Sequence, residues 1–302
     1  MNIAIIGMGA LGLLYGDLLR ADPTARVGFI VDEARQAAYR QQPVVINDVP
    51  TRFDLLDTRR DAAPADLVIF AVKATALEGA MEDAAGFVGP DTILLSLLNG
   101  ITSEQLLARR FGDKNLVYCV AQGMDATRQG RTLRYSQTGT LCLGLPGGAS
   151  SPALETLLAQ LERSGVPHVL EADILHRMWS KFMLNVGVNQ VVMVCEGNYG
   201  TIQRPGEPRE RMIAAMREVV ALSRAEGVPV TEEDLHYYVD LMGTLDPEGM
   251  PSMRQDGLAH RKSEVELFSG TVCRLAAKHG LPVPVNEALY REIRAMEAGY
   301  GV

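Results

Sequence analysis

Short apolar runs alternate with amphipathic stretches over the first half of the chain, whereas the second half carries only the longer period of helices. Residues 2–6, 27–31, 67–72, 92–97 and 116–120 are rich in Val, Ile and Leu and predict buried strands. Between them, 10–20, 33–40, 76–85 and 103–111 space their apolar residues as helices do. Such alternation predicts an α/β fold, a doubly wound parallel sheet with helices on both faces. Residues 43–56 look like an inserted hairpin or meander turning at Val49 and Pro50, and 132–145 alternate as strands that close the sheet with antiparallel members. A loop by composition over 146–152 leads to a helix at 153–164 and a last strand at 167–170. From 172 onward only helices are expected: 172–195, 207–226, 232–245, 253–279 and 286–298. The predicted domains are therefore 1–171, α/β, and 172–302, all-α.

Length and charge narrow the function. At 302 residues the chain can bury two ordinary cores. A net charge of −8 argues against a nucleic-acid or anionic-membrane partner, both of which select a positive field. No apolar run is long enough to span a bilayer. The apolar first nineteen residues lack a basic leader and are broken by Gly7, Gly9, Gly12 and Gly16, so they read as folded structure rather than a signal peptide. Cys119, Cys142, Cys195 and Cys273 form no CxxC pair and the five histidines are scattered. A cytoplasmic protein with reduced thiols and no metal site is expected.

The first strand runs into Gly7-Met8-Gly9-Ala10-Leu11-Gly12, a GxGxxG opening a helix and followed by a second strand. In that context the pattern is a dinucleotide-binding fingerprint of Rossmann type. The first glycine permits the turn, the second lets a diphosphate approach, and the third lets helix and strand pack closely. Asp32 ends the second strand, where a carboxylate either accepts from the adenosine ribose, favouring NAD(H), or caps the next helix. Arg35 and Lys73 are nearby cations able to pair with a phosphate, so the choice of dinucleotide stays open on these residues alone. Asn99-Gly100, after the strand TILLSLL, is either a plain turn or part of the ligand crevice.

Lys181, Asn185 and Asn189 recur every fourth residue within the apolar stretch WSKFMLNVGVN. At about 100° per residue they share one helical face. Burying an ammonium and two amides is costly unless partners satisfy them, so the stripe marks either a wet ligand site or a structural network. Further on, Ser252 and Glu264 are expected within one helix, where Glu264 alone reads as a solvated residue.

Taken together, IIGMGALG, FAVKA, SLLNG, the KxxxNxxxN of Lys181, Asn185 and Asn189, and the Ser252-to-Glu264 spacing resemble the ketopantoate reductase (2-dehydropantoate 2-reductase) family, over almost the whole chain. The resemblance implies reduction of ketopantoate to pantoate, a step of pantothenate and hence coenzyme A biosynthesis, by hydride transfer from NADP(H). It implies Lys181 as the catalytic acid assisted by Glu264, with Asn185, Asn189, Ser252 and Asn99 at the substrate. It places Lys73 and Asn99 at the cofactor, beside the glycine turn. The chain departs from the family pattern in carrying Asp32 where an arginine is frequent. It also has Tyr199 before Gly200, with Asn198 one residue early, and Gly249 in place of an asparagine. Asp32 keeps NAD(H) open, and the other departures keep open a different branched 2-keto acid. A non-catalytic dinucleotide-binding redox sensor is the reading from another class. The implied partners are a small 2-keto acid and, at most, a second copy in a homodimer.

Overall fold

The computed structural model describes residues 1–300. Contacts divide the chain into two compact units, Met1–Ile174 and a second beginning at Leu175. In the first unit β1 (Asn2–Ile6), α1 (Ala10–Leu19), β2 (Arg26–Val31) and α2 (Glu33–Gln41) are followed by three short strands, β3 (Val44–Ile46), β4 (Val49–Thr51) and β5 (Asp54–Asp57). The alternation resumes with β6 (Leu67–Phe70), α3 (Leu77–Ala84), β7 (Ile93–Ser96), α4 (Ser103–Phe111) and β8 (Leu116–Met124). It closes with β9 (Thr127–Gln129), β10 (Thr132–Arg134), β11 (Thr138–Gly144), α5 (Pro152–Arg163) and β12 (His168–Leu170).

The main sheet has eight strands in the order β12-β11-β8-β7-β6-β1-β2-β5. The run from β8 to β5 is parallel, β11 is antiparallel to β8, and β12 is parallel to β11. Successive residues of β1 feed opposite cores: Ile3 and Ile5 pack with Leu13, Leu14 and Phe29, Ala4 and Ile6 with Val68, Phe70 and Leu107. Both faces are therefore covered, which is why the strands read as unbroken apolar runs. Strand order reverses beside β1, so the switch point that collects ligands in such sheets falls on the turn after β1.

The second unit holds α6 (Ile174–Val194), α7 (Tyr199–Gln203), α8 (Glu207–Ala225), α9 (Glu232–Gly243), α10 (Ser252–Leu258), a π-helical turn at Glu266–Gly270, α11 (Thr271–His279) and α12 (Pro284–Ala298). Among the described residues no strand follows β12. The α/β Rossmann-type sheet followed by helices is thus the fold the sequence predicts.

Several details differ from expectation. The hairpin within 43–56 turns at Asn47 and Asp48, both left-handed (φ 45 and 68), rather than at Val49 and Pro50. Asn and Asp tolerate that conformation because their side chains bond locally, and Pro50 lies inside β4. β5 then pairs in parallel with β2 at the edge of the main sheet. The 132–145 segment divides: β10 joins β3, β4 and β9 in a separate small sheet, and only β11 closes the main one. Residues 253–279 do not form one helix. His260 is left-handed (φ 49), and the Ala259 and His260 amides fold back onto Gln255, Asp256 and Gly257 carbonyls, ending α10. α7 was absent from the expected elements, being too short for periodicity to show.

A buried polar chain pins the turn between β7 and α4. The Ser96 hydroxyl donates to Ser103 (2.8 Å), the Ser103 hydroxyl donates to Glu104 Oε2 (2.8 Å), and the Leu98 amide donates to Ser96 Oγ (3.2 Å). Glu104 is 1% exposed, and its Oε1 has no partner among the described atoms. Burial pushes this carboxyl up to about 7. Its proton is bound more tightly in the folded chain than in the unfolded one, so its stabilising contribution is full below about pH 4.5 and disappears as pH rises through about 7. Denaturant unfolding at pH 5 and pH 8.5 should show a loss of up to roughly 3 kcal/mol from this group. Glu104→Gln should flatten that slope, and an unchanged slope would place the titration elsewhere.

Candidate active site

The dinucleotide turn is built by close approach. Gly7 has φ +107, and a Cβ there would lie 2.5 Å from the Ala71 carbonyl oxygen. A Cβ on Gly12 would lie 1.9 Å from the Gly7 carbonyl oxygen, so α1 can start against β1 only with glycine at that position. Gly9 is the N-cap of α1 and supplies no capping side chain, which leaves first-turn N–H groups for a ligand. Met8 is buried, and Ala10 and Leu11 are half-buried.

A cavity of about 430 Å³ opens beside this turn, lined by Gly7 and Gly9, by Asp32, Arg35 and Tyr39 after β2, by Thr75 and Asp83, and by Arg128. Asp32 caps α2, its Oδ1 accepting from the Arg35 amide (2.7 Å). Its Oδ2 lies 3.3 Å from Arg35 Nε, so carboxylate and guanidinium enter the cavity wall as a pair. Lys73 is exposed after β6 at the cap of a 3-10 turn, Ala74–Ala76. Asn99 is half-buried in the turn after β7, beside Gly100 with φ +90. Arg128 and Tyr39 were not singled out from the sequence. Nothing in their local pattern signals a cavity wall.

In the second unit, Lys181, Asn185 and Asn189 lie on one continuous helix, α6. Lys181 and Asn185 are half-buried and Asn189 is buried, among fully enclosed Phe182, Met183, Val186, Val191 and Val192. A buried network does run through α6, centred on Gln190, outside the Lys181, Asn185 and Asn189 stripe. Gln190 Nε2 donates to the Val186 carbonyl (2.8 Å), its Oε1 accepts from the Ser269 amide (3.2 Å), and the Ser269 hydroxyl meets Asn286 (3.2 Å). Asn286 Nδ2 donates to Glu218 (2.7 Å), closing the network onto α8.

Ser252 is the exposed first residue of α10, and Glu264 is half-buried in the segment beyond it, not on the same helix. The Ser263 amide and hydroxyl donate to Glu297 Oε1 (2.8 and 2.5 Å), which fixes the chain one residue before Glu264. The Glu264 carbonyl accepts from the Leu267 and Phe268 amides and starts the π-helical turn. The two departures near this segment meet each other. The Tyr199 amide donates to the Gly249 carbonyl (2.9 Å), and a Cβ on Gly249 would lie 2.9 Å from the Tyr199 ring. Asn198 caps α7 in a reciprocal box with Thr201. Among the described residues no group of three or more His, Cys, Asp or Glu could hold a metal ion, and no helix is long and apolar enough to cross a membrane.

Known proteins share both halves of this arrangement. Residues 3–147 match the family model described as ketopantoate reductase PanE/ApbA, and residues 173–297 match the model of its C-terminal part. The 2-dehydropantoate 2-reductase of Halobacterium salinarum is 28% identical over 302 residues, covering 97% of this chain and 98% of its own. The solved PanE/ApbA family ketopantoate reductase of Ralstonia eutropha JMP134 superposes with a TM-score of 0.86 at 25% identity over the full length of both chains. A D-mandelate dehydrogenase solved with NADH and anilino(oxo)acetate shares the fold, with a TM-score of 0.88 at 22% identity and full coverage of both. With its two halves matched in order by one family's models, the chain belongs to the ketopantoate reductase family.

Proposed function

We propose that this protein reduces 2-dehydropantoate to pantoate with NADP(H), using Lys181 as the proton donor. The observation that carries the proposal is the Lys181, Asn185 and Asn189 stripe on a helix where it lies among buried Phe182, Met183, Val186, Val191 and Val192. Family membership agrees with the reaction, and the D-mandelate dehydrogenase of the same fold was solved with a nicotinamide dinucleotide.

The residues after β1 fit such a cofactor. A Cβ on Gly9 would meet only the Ala71 carbonyl oxygen, 3.7 Å away, so the space in front of it is open where a diphosphate would lie. Asp32 does not oppose a phosphorylated ribose as an unpaired carboxylate would, because Arg35 accompanies it. The reduced nicotinamide supplies the hydride. Lys181 polarises the keto oxygen and gives it a proton as it becomes an alkoxide. Glu264 holds the ammonium, and Asn185, Asn189, Ser252 and Asn99 orient the substrate carboxylate and hydroxyl. Fixing the reacting carbons at about 3–3.5 Å is what such contacts contribute.

The Tyr199–Gly249 contact favours a second reading, in which the same chemistry acts on a different 2-keto acid. An aromatic ring and a glycine, packed together, stand where the family pattern has amides. A panel of 2-keto acids followed by dinucleotide absorbance separates the two readings.

Lys181→Ala should lower kcat by about 10²–10⁴-fold with dinucleotide affinity nearly unchanged. Glu264→Ala should also be damaging, and the double variant should lose less than the product of the single losses. A lower melting temperature with normal turnover per folded molecule would make Lys181 structural instead. For the cofactor turn, Gly9→Ala should keep the melting temperature and weaken dinucleotide binding. Gly12→Ala should instead cost stability, by roughly 1–3 kcal/mol or more. Tight binding by a well-folded Gly9→Ala protein would move the diphosphate off this turn.

A further inference from the structure

Arg128 has a role that the preceding reading does not use, and the inference rests on that reading, namely that a nicotinamide dinucleotide occupies the turn after β1. Arg128 is half-buried on β9. Its Nε donates to the Gly130 carbonyl (2.9 Å), one terminal nitrogen donates to the Met8 carbonyl, and the other to the Tyr39 hydroxyl (3.1 Å). All three acceptors are neutral. A guanidinium has five N–H bonds, so two remain, one on each terminal nitrogen. A partly desolvated cation with only neutral partners keeps most of its desolvation cost uncompensated, and an anion would relieve it.

The placement of Arg128 is built by the protein rather than by a ligand. Arg131 donates to the Ala38 and Gln42 carbonyls (2.7 and 3.0 Å) and lies over the Tyr39 ring at 5.2 Å. Arg134 forms two hydrogen bonds to Asp48 (2.6 and 3.0 Å). The β9–β10 hairpin is thereby clamped to α2 and to the β3–β4 turn, and it holds Arg128 in the cavity wall.

That wall also contains Arg35, already paired with Asp32, and the carboxylate of Asp83. The N-terminus of α1 answers a diphosphate, so a further preformed donor beside Asp32 and Tyr39 answers a separate anion on the adenosine half. We propose that Arg128 binds the ribose 2′-phosphate of NADP(H) and is the residue by which this chain distinguishes it from NAD(H).

The test is equilibrium binding of NADPH and NADH by fluorescence, and of adenosine 2′,5′-bisphosphate and ADP by calorimetry, to the unsubstituted protein, Arg128→Gln and Arg128→Lys. Loss of a charge-assisted contact should weaken NADPH and the 2′,5′-bisphosphate by roughly 10–100-fold in Arg128→Gln. NADH and ADP should change less than about twofold by the same reasoning, and Arg128→Lys should recover part of the loss because it keeps the charge. Equal weakening of all four ligands would put the cation on the diphosphate and overturn the proposal. Unchanged binding with a lowered melting temperature would make Arg128 a strut and overturn it as well. Binding of neither dinucleotide by the unsubstituted protein would defeat the reductase reading itself, a result distinct from the other two.

Discussion

A helix without a broad wet face must bring its own hydrogen-bond partners, and the second unit is organised around that condition at α6. Gly187 lets α8 approach so closely that a Cβ there would sit 2.6 Å from the Met216 side chain. Gln190 then joins α6 to the π-helical turn and, through Ser269 and Asn286, to Glu218 of α8. Each polar atom in such a chain is tolerable only because the next one answers it. The frame fixes the rotation of α6 about its axis. Lys181, Asn185 and Asn189 consequently keep a defined direction, which a lysine on a loosely packed helix would not have.

Close approach does comparable work in the first unit. The contact between Gly12 and the Gly7 carbonyl sets α1 directly on β1, so the positive end of the helix opens at the point where strand order reverses. Charge in the neighbouring cavity is arranged by pairing rather than by count. Asp32 and Arg35 neutralise each other, and the remaining cation faces carbonyl and phenol oxygens.

The sequence was most readable where one physical rule acted alone. Asn2–Ile6 is apolar throughout because the sheet is covered on both faces, and the Gly7–Gly12 turn is legible because backbone contact admits no other residue. The Lys181 stripe was visible from spacing, since four-residue steps stay on one face. Where rules competed, the reading failed. Residues 253–279 have helix-compatible composition throughout, and the break depends on backbone amides folding back at Ala259 and His260. Pro50 drew the expected turn away from Asn47 and Asp48, although a strand edge accepts proline. Nothing in the sequence singled out Glu104, in the first turn of α4, or Arg128, on β9. Both acquire their character from partners that periodicity cannot reveal.

The small four-stranded sheet has a consequence for assembly. Arg134 meets Asp48 across 86 residues of sequence, and Arg128 meets Met8 across 120. Contacts so distant in sequence bear a loop-closure entropy that local helices do not. The glycine turn is shaped by contacts reaching no further along the chain than Ala71 and Val72, whereas the wall carrying Arg128 needs β9 and β10. The cavity beside the turn is thus completed only by the part of the first unit most remote from it in sequence.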